Sequence, residues 1–200
     1  MIIGLTGTYC SGKNHIAGFL EKRGLPVLDV DKLGHIVIET EKKAICGRFG
    51  TGILGPDNKI DRKLLGEKVF GKPEELAALE AIIHPAVNKL TSAWIAGQQG
   101  RPCVVNAALL HRSSAFSGLD AVIVVHASFL TRLFRAKRRD KLPWFDLFIR
   151  LRSQKYFLSQ YFNEKADIYK VENPGFLVFR KIYKPEERVH EILSLLGIGV

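Results

Sequence analysis

The opening stretch Met1-Ile-Ile-Gly-Leu-Thr-Gly-Thr-Tyr-Cys-Ser-Gly-Lys-Asn14 decides the fold. Met1 to Leu5 is an apolar run that predicts a buried strand, and Thr6-Gly7 ends it. A loop then runs to Gly12-Lys13. From His15 the pattern turns helical, with Ile16, Phe19 and Leu20 on one apolar face and Glu21-Lys22-Arg23 closing the element before Gly24.

Strand, glycine-bounded loop ending in Gly-Lys, and helix together make the P-loop arrangement. Backbone N–H groups of such a loop turn inward and, with the helix N-terminus, form a nest for phosphate oxygens. Glycine at 7 and 12 removes the Cβ atoms that would block a close approach. The candidate ATP site is therefore Gly7, Thr8, Tyr9, Cys10, Ser11, Gly12, Lys13, Asn14 and His15, with Lys13 reaching the β- and γ-phosphates. The motif asks for Ser or Thr after the lysine, to place a hydroxyl on Mg²⁺, and this chain has Asn14. An amide oxygen can ligate Mg²⁺, although it is bulkier and its NH₂ end only donates. The competing reading is a glycine-rich strand–helix turn with an incidental Gly-Lys, and the correctly placed flanking elements argue against it.

With 200 residues the chain is long enough for one domain with insertions and a full core. Its 46% apolar and 25% charged residues are ordinary for a globular protein. No apolar run approaches a membrane span and the N-terminus enters a strand at once, so neither a membrane segment nor a signal peptide is expected. Cys10, Cys46 and Cys103 fit no disulfide or zinc spacing, and an odd, sparse set suits a reducing cytoplasm. The net charge of +10 is concentrated: from Arg132 to Lys155 there are nine basic and two acidic residues. A polyphosphate ligand or nucleic acid would account for that stretch, and a solvated helix face for part of it.

Pro26-Val-Leu-Asp-Val-Asp31 predicts the second strand, on which Asp29 and Asp31 would share one face at the C-terminal edge of the sheet. Asp31 could accept a proton from a hydroxyl or hold a metal through water, whereas Asp29 reads equally well as a cap or turn residue. Residues 36–100 read as mostly helical, with a turn-rich break at Phe49–Asn58. A helix capped by Asp61 runs to Val69 or Phe70, and another carries Leu76, Leu79, Ile82 and Ile83 on its apolar face. His84-Pro85 is expected to interrupt that helix, and a lone His84 is more often packed or capping than catalytic. Pro102–Leu110 and Asp120–Ala127 predict the third and fourth strands, nearly continuous apolar runs suited to parallel strands covered on both faces. A basic helix over Phe129–Arg139, a break at Lys141-Leu-Pro-Trp144, a helix from Phe145 to about Tyr161, an edge-like strand over Ala166–Asn173 and a closing helix from Pro185 to Leu196 complete the chain. The expectation is a three-layer α/β P-loop fold with a five-stranded, mostly parallel sheet. Its core would be 1–35, 99–131 and 165–200, with a helical acceptor-binding insertion at 36–98 and a lid at 132–164.

With these pieces placed, the chain resembles the dephospho-CoA kinases along essentially its whole length. The matching residues are Ile3-Gly-Leu-Thr-Gly7 with Gly12-Lys13, Val30-Asp31 leading to His35, Asp61-Arg-Lys-Leu64 and Ile82-Ile-His-Pro85. They continue with Arg135, Arg139-Asp140, Arg150-Leu-Arg-Ser-Gln154, and Ala166-Asp167 ahead of Asn173. The resemblance implies transfer of the ATP γ-phosphate, with Mg²⁺, to the ribose 3′-hydroxyl of dephospho-CoA, the last step of coenzyme A synthesis. On that resemblance Asp31 orients or deprotonates the hydroxyl, and the lid residues Arg135 and Arg139 stabilise the transferring phosphoryl group. Arg150 and Gln154 belong to the same closing element. His84 and the 36–98 segment hold the acceptor, as does His35, and Asn173, Pro174 and Gly175 lie near adenine. Arg132, Arg135, Arg138, Arg139 and Arg150 compete for two or three of these tasks.

The chain departs from the family at Asn14 and again at Asn106-Ala-Ala-Leu-Leu-His-Arg112, where an Asp-x-Pro-Leu-Leu-Phe-Glu sequence is usual. Both changes remove a hydroxyl or negative charge near the expected metal, so Mg²⁺ would bind less tightly or rest on Asp31 and the phosphates. The rival readings are another nucleoside or nucleotide P-loop kinase, a nucleic-acid-binding protein using the basic stretch with Phe134, Trp144, Phe145 and Phe148, and a non-catalytic nucleotide sensor. The acceptor-side residues favour dephospho-CoA, and nucleic acid is not the expected partner. Oligomeric state is not legible from the sequence.

Overall fold

Five short β-strands form one sheet, and the order in which the chain visits them places the glycine-rich loop at its centre. The computed structural model describes residues 1–108, 110, 118–152, 166–174 and 184–199. Strand β1 (Ile2–Gly7) is followed by α1 (Lys13–Lys22), β2 (Val27–Asp29), α2 (Val30–Thr40) and α3 (Lys42–Phe49). A 3₁₀ turn at Thr51–Ile53 leads to α4 (Arg62–Val69) and the long α5 (Pro73–Gly97). Strands β3 (Cys103–Asn106) and β4 (Ala121–His126), helices α6 (Phe129–Asp140) and α7 (Trp144–Arg152), β5 (Asp167–Glu172) and α8 (Pro185–Leu195) complete the described elements.

The strand order is β2-β3-β1-β4-β5, with β1 pairing parallel to both β3 and β4, and β4 pairing parallel to β5. This is an α/β P-loop fold, with β1 in the middle and the loop leaving its C-terminal end. Parallel strands covered by helices are apolar throughout, and every residue of β3 and nearly every residue of β4 is buried. Ile3 and Leu5 of β1 pack with Ile16 and Leu20 of α1 and with Val189, Ile192 and Leu193 of α8 in one core cluster.

The chain forms two compact units, one of residues 1–28 and 95–200 and the other of residues 29–94. The second unit has its own core of Ile45, Ile53, Ile60, Leu65, Val69 and Leu79. Its turn-rich break closes through an isolated bridge between Leu54 and Ile60, and the Glu39 carboxylate accepts from the Ile60 N–H at 3.0 Å. Asp61 caps α4 by accepting from the N–H groups of Lys63 and Leu64.

The structure corrects three expectations. The second strand stops at Asp29, which is the N-cap of α2 and accepts from the Lys32 N–H at 3.1 Å. Asp31 therefore sits in the first turn of a helix, and the two carboxylates share no strand face. Capping wins because an Asp side chain satisfies a helix N–H that a strand residue would leave unmet. His84-Pro85 does not interrupt α5, which runs through Pro85. The proline forfeits the bond to the Ala81 carbonyl, and buried Leu79, Val87 and Thr91 on either side hold the helix together. Leu76, expected on the apolar face of α5, is 41% exposed.

Candidate phosphate-binding site

The loop between β1 and α1 is held in shape by its glycines and by two side chains from distant segments. Gly7 pairs with Val125 of β4, and a Cβ there would lie 2.6 Å from both the Val125 carbonyl oxygen and Ser11 Oγ. Gly12 is the N-cap of α1 with φ +96°, a left-handed conformation that costs an L side chain strain. A Cβ at Gly12 would lie 2.1 Å from Asn173 Nδ2. Cys10 also takes a positive φ, of 60°, and the Ser11 N–H donates to the Thr8 carbonyl at 2.9 Å. Positive φ values at Cys10 and Gly12 reverse the backbone just ahead of Lys13, where α1 begins, the backbone pattern of a phosphate nest.

Asn173, just after β5, donates from Nδ2 to the Ser11 carbonyl at 2.9 Å. Arg135 of α6 donates from Nη1 to the same carbonyl at 2.9 Å and from Nη2 to Asn173 Oδ1 at 3.0 Å. A second layer rests on Tyr9. Its hydroxyl donates to the Asp140 carboxylate, Arg139 lies 4.8 Å and Arg150 5.5 Å from its ring centroid, and Arg139 pairs with Asp140 at 2.7 Å. Cations over an aromatic face are attracted by its quadrupole, so Tyr9 gathers two guanidiniums of α6 and α7 onto the loop. Arg132 is 8% exposed and donates from Nε to the Ala127 carbonyl at 3.2 Å. Burial lowers the pKa of Arg132 and Arg135 from the ordinary arginine value, and guanidiniums of this kind remain charged. Burial raises the Cys10 thiol, and the charges of Arg139, Arg135, Arg132 and Arg150 oppose that rise without cancelling it.

Three buried polar atoms around the loop have no hydrogen-bond partner among the described residues: Thr8 Oγ1, Ser11 Oγ and Arg132 Nη1. A fourth, Asn106 Oδ1, lies at the end of β3, where Asn106 is in register with Leu5. Buried polar groups are nearly always paired, so unmet donors and acceptors grouped around a loop of this shape mark a place for an external polar ligand. Donors at the loop suit phosphate oxygens, and Asn106 Oδ1 offers a neutral oxygen to a hard cation.

Of the residues expected from the sequence, Gly7, Thr8, Tyr9, Cys10, Ser11, Gly12, Lys13, Arg135, Arg139, Arg150 and Asn173 belong to this one constellation. Asn14 is exposed on the first turn of α1. The ring of His15 turns to α8, with Nε2 2.6 Å from a Glu186 carboxylate oxygen. Asp31 and His35 lie four residues apart on α2 in the second unit, on one helix face, and both are exposed. His84 is half-buried in the interior of α5. Gln154 and Gly175 lie outside the described residues. Two features had no sequence signal: the Tyr9–Asp140 bond and the Asn173 clamp on Ser11, which join residues 131 and 162 positions apart.

The family model for dephospho-CoA kinase matches residues 1–166. A dephospho-CoA kinase of Halalkalibacterium halodurans is 34% identical over 183 residues, covering 88% of this chain and 90% of the relative. Another, of Fusobacterium nucleatum, is 33% identical over 199 residues, covering 96% and 98%. The crystal structure of TT1252 from Thermus thermophilus superimposes with a TM-score of 0.83 at 28% identity, covering 100% of this chain and 98% of the other.

Proposed function

From the premise that the chain belongs to the dephospho-CoA kinase family, we propose that it transfers the γ-phosphate of ATP to the ribose 3′-hydroxyl of dephospho-CoA, giving coenzyme A. The observation that carries the reading is the clamped loop: a left-handed Gly12 opening α1, with Arg135 and Asn173 both bonded to the Ser11 carbonyl. Phosphoryl transfer is mainly positioning and stabilisation of charge on the transferring oxygens. In this role the loop N–H groups and Lys13 bind the polyphosphate, and Arg135, fixed by the Cys10 and Ser11 carbonyls and Asn173 Oδ1, enters the reaction already oriented. Arg139 and Arg150, gathered by Tyr9, neutralise the phosphoryl oxygens, a task for which the guanidinium fork suits phosphate geometry. Asp31 accepts the proton of the attacking hydroxyl, and His35, one helical turn on, together with His84 and Gln154, contributes to holding the acceptor. Asn173 acts as a positioning residue for the loop, with Gly175 next to it near adenine. We place residues 36–98 as the acceptor-binding segment and 132–164 as the lid.

Mg²⁺ would accompany the ATP phosphates, and on the protein side the Asn14 amide oxygen and Asn106 Oδ1, a buried acceptor without a partner among the described residues, would hold it. When bound it supplies charge to the β- and γ-phosphate oxygens. No described helix is long and apolar enough to cross a membrane, and a cytoplasmic location is the natural setting for this reaction.

The test is ADP release from Mg·ATP with dephospho-CoA, CMP, UMP or a nucleoside as acceptor. Stimulation by dephospho-CoA alone is the expected result. Lys13→Ala should lower kcat by at least about 100-fold, as loss of one charge-stabilising donor does. Asp31→Asn should lower it by about 10²–10⁴, the range for a general base. ATP binding with no acceptor-stimulated turnover would reduce the chain to a nucleotide-binding protein on a kinase fold.

A further inference from the structure

The candidate site is rich in fixed positive charge and poor in metal-binding oxygen. Among the described residues no three His, Cys, Asp or Glu side chains cluster as a metal site. The side chain after Lys13 is an amide, and so is the one that closes β3 beside the loop. Of the nearby carboxylates, Asp140 is taken by Tyr9 and Arg139. Against this stand four guanidiniums. Arg135 is bonded to the loop, Arg139 and Arg150 lie over Tyr9, and Arg132 is buried with Nη1 unmet among the described residues.

Arg132 is placed by the sheet. Its Nε donates to the carbonyl of Ala127, which follows the end of β4, and Val125 of that strand is in register with Gly7, where the loop begins. The guanidinium is thus fixed by the end of β4, which borders the start of the loop, and Ser11 Oγ, without a partner among the described residues, packs beside Gly7. Burying a cation with an unsatisfied donor is costly unless an anion completes it. The coulombic influence of Arg132 on Cys10 is consistent with that placement.

We propose that arginine side chains, with Arg132 as the buried one, supply most of the charge compensation for the bound ATP polyphosphate in this chain, so that ATP binds with only weak dependence on a divalent cation. Arg132 is thereby a phosphate-binding residue in addition to Lys13 and Arg135. The inference rests on the kinase reading of the same site, and it concerns binding, so it can be read without turnover.

The experiment is calorimetric titration of the purified protein with ATP, once with Mg²⁺ and once with excess EDTA, together with ATP-induced thermal shifts in both media. Removal of Mg²⁺ should weaken wild-type binding by less than about tenfold, that is by less than about 1.4 kcal/mol. Arg132→Met should weaken binding by about tenfold or more in EDTA and by less in Mg²⁺, because the metal then takes over part of the lost charge, and Arg132→Lys should restore part of the loss. Should Arg132→Met fail to fold, Arg139→Gln at its exposed position carries the same comparison, with a smaller loss of about threefold expected. Loss of wild-type ATP binding by about 100-fold or more on chelation overturns the inference and leaves the kinase reading intact. Equal losses for Arg132→Met in both media make Arg132 a structural residue and overturn its assignment. Absence of ATP binding in either medium would remove the kinase reading itself.

Discussion

Gly12→Ala should be among the most damaging single changes in the loop, and its cost can be worked from the geometry. The new Cβ adopts φ near +96° and would stand 2.1 Å from Asn173 Nδ2. Holding alanine in the left-handed region costs about 1 kcal/mol. The overlap cannot be relieved cheaply, because Asn173 is 8% exposed, donates to Ser11 and accepts from Arg135. Displacing it forfeits one neutral hydrogen bond worth about 1 kcal/mol and one charge-assisted bond worth about 2 kcal/mol. The single substitution should therefore cost about 4 kcal/mol in total. Asn173→Ala alone forfeits the same two bonds, about 3 kcal/mol. In the double variant there is nothing left to displace, so it should cost about 4 kcal/mol rather than the additive sum of about 7. The assay is urea denaturation of wild type, both singles and the double, with ATP affinity measured alongside. A coupling within about 0.5 kcal/mol of zero would refute the clamp as the reason for glycine at 12. Wild-type ATP affinity in Gly12→Ala would refute the loop as the phosphate site.

Asp61→Ala removes the acceptor for the Lys63 and Leu64 N–H groups and should cost about 1 kcal/mol, or about 2–4 °C in Tm by differential scanning calorimetry. Burial raises the Glu172 carboxyl, but the hydrogen bonds and charges of Lys170 and His126 outweigh it and hold its pKa below the ordinary carboxylate value. A depressed carboxyl stabilises the fold above its unfolded-state pKa and loses that contribution as pH falls through the folded-state value. Glu172→Gln should accordingly flatten the acid limb of a stability-against-pH curve, and an unchanged limb would remove Glu172 from the account. Because burial holds the Cys10 thiol above its ordinary value, alkylation by iodoacetamide should be slower at neutral pH than for a free thiol. ATP should slow it further, as followed by mass spectrometry, since Cys10 lies within the loop.

What the sequence determined by itself was local. The change from an apolar run to helical spacing around Gly7 and Gly12-Lys13 announced the P-loop, because a strand and a helix bury their faces with different periods. The same reasoning located the strands near Cys103 and Ala121, the Asp61 cap and the closing helix at Pro185. It failed where two local rules competed. Asp29 could pair as a strand residue or cap a helix, and only the fold chose the cap. Pro85 should end a helix by local energetics, yet the packing of its neighbours carries α5 through it. The site itself was legible as a set of residue types but not as an arrangement. Five arginines in one basic stretch are indistinguishable in sequence. In the structure Arg135 lies on the loop carbonyls, Arg139 and Arg150 lie over Tyr9, and Arg132 is buried just past the end of β4. Asn173 gave no hint that it would hold Ser11, 162 positions away. Hydrogen bonds of that span arise from the order in which parallel strands are laid beside one another, and no local pattern encodes them.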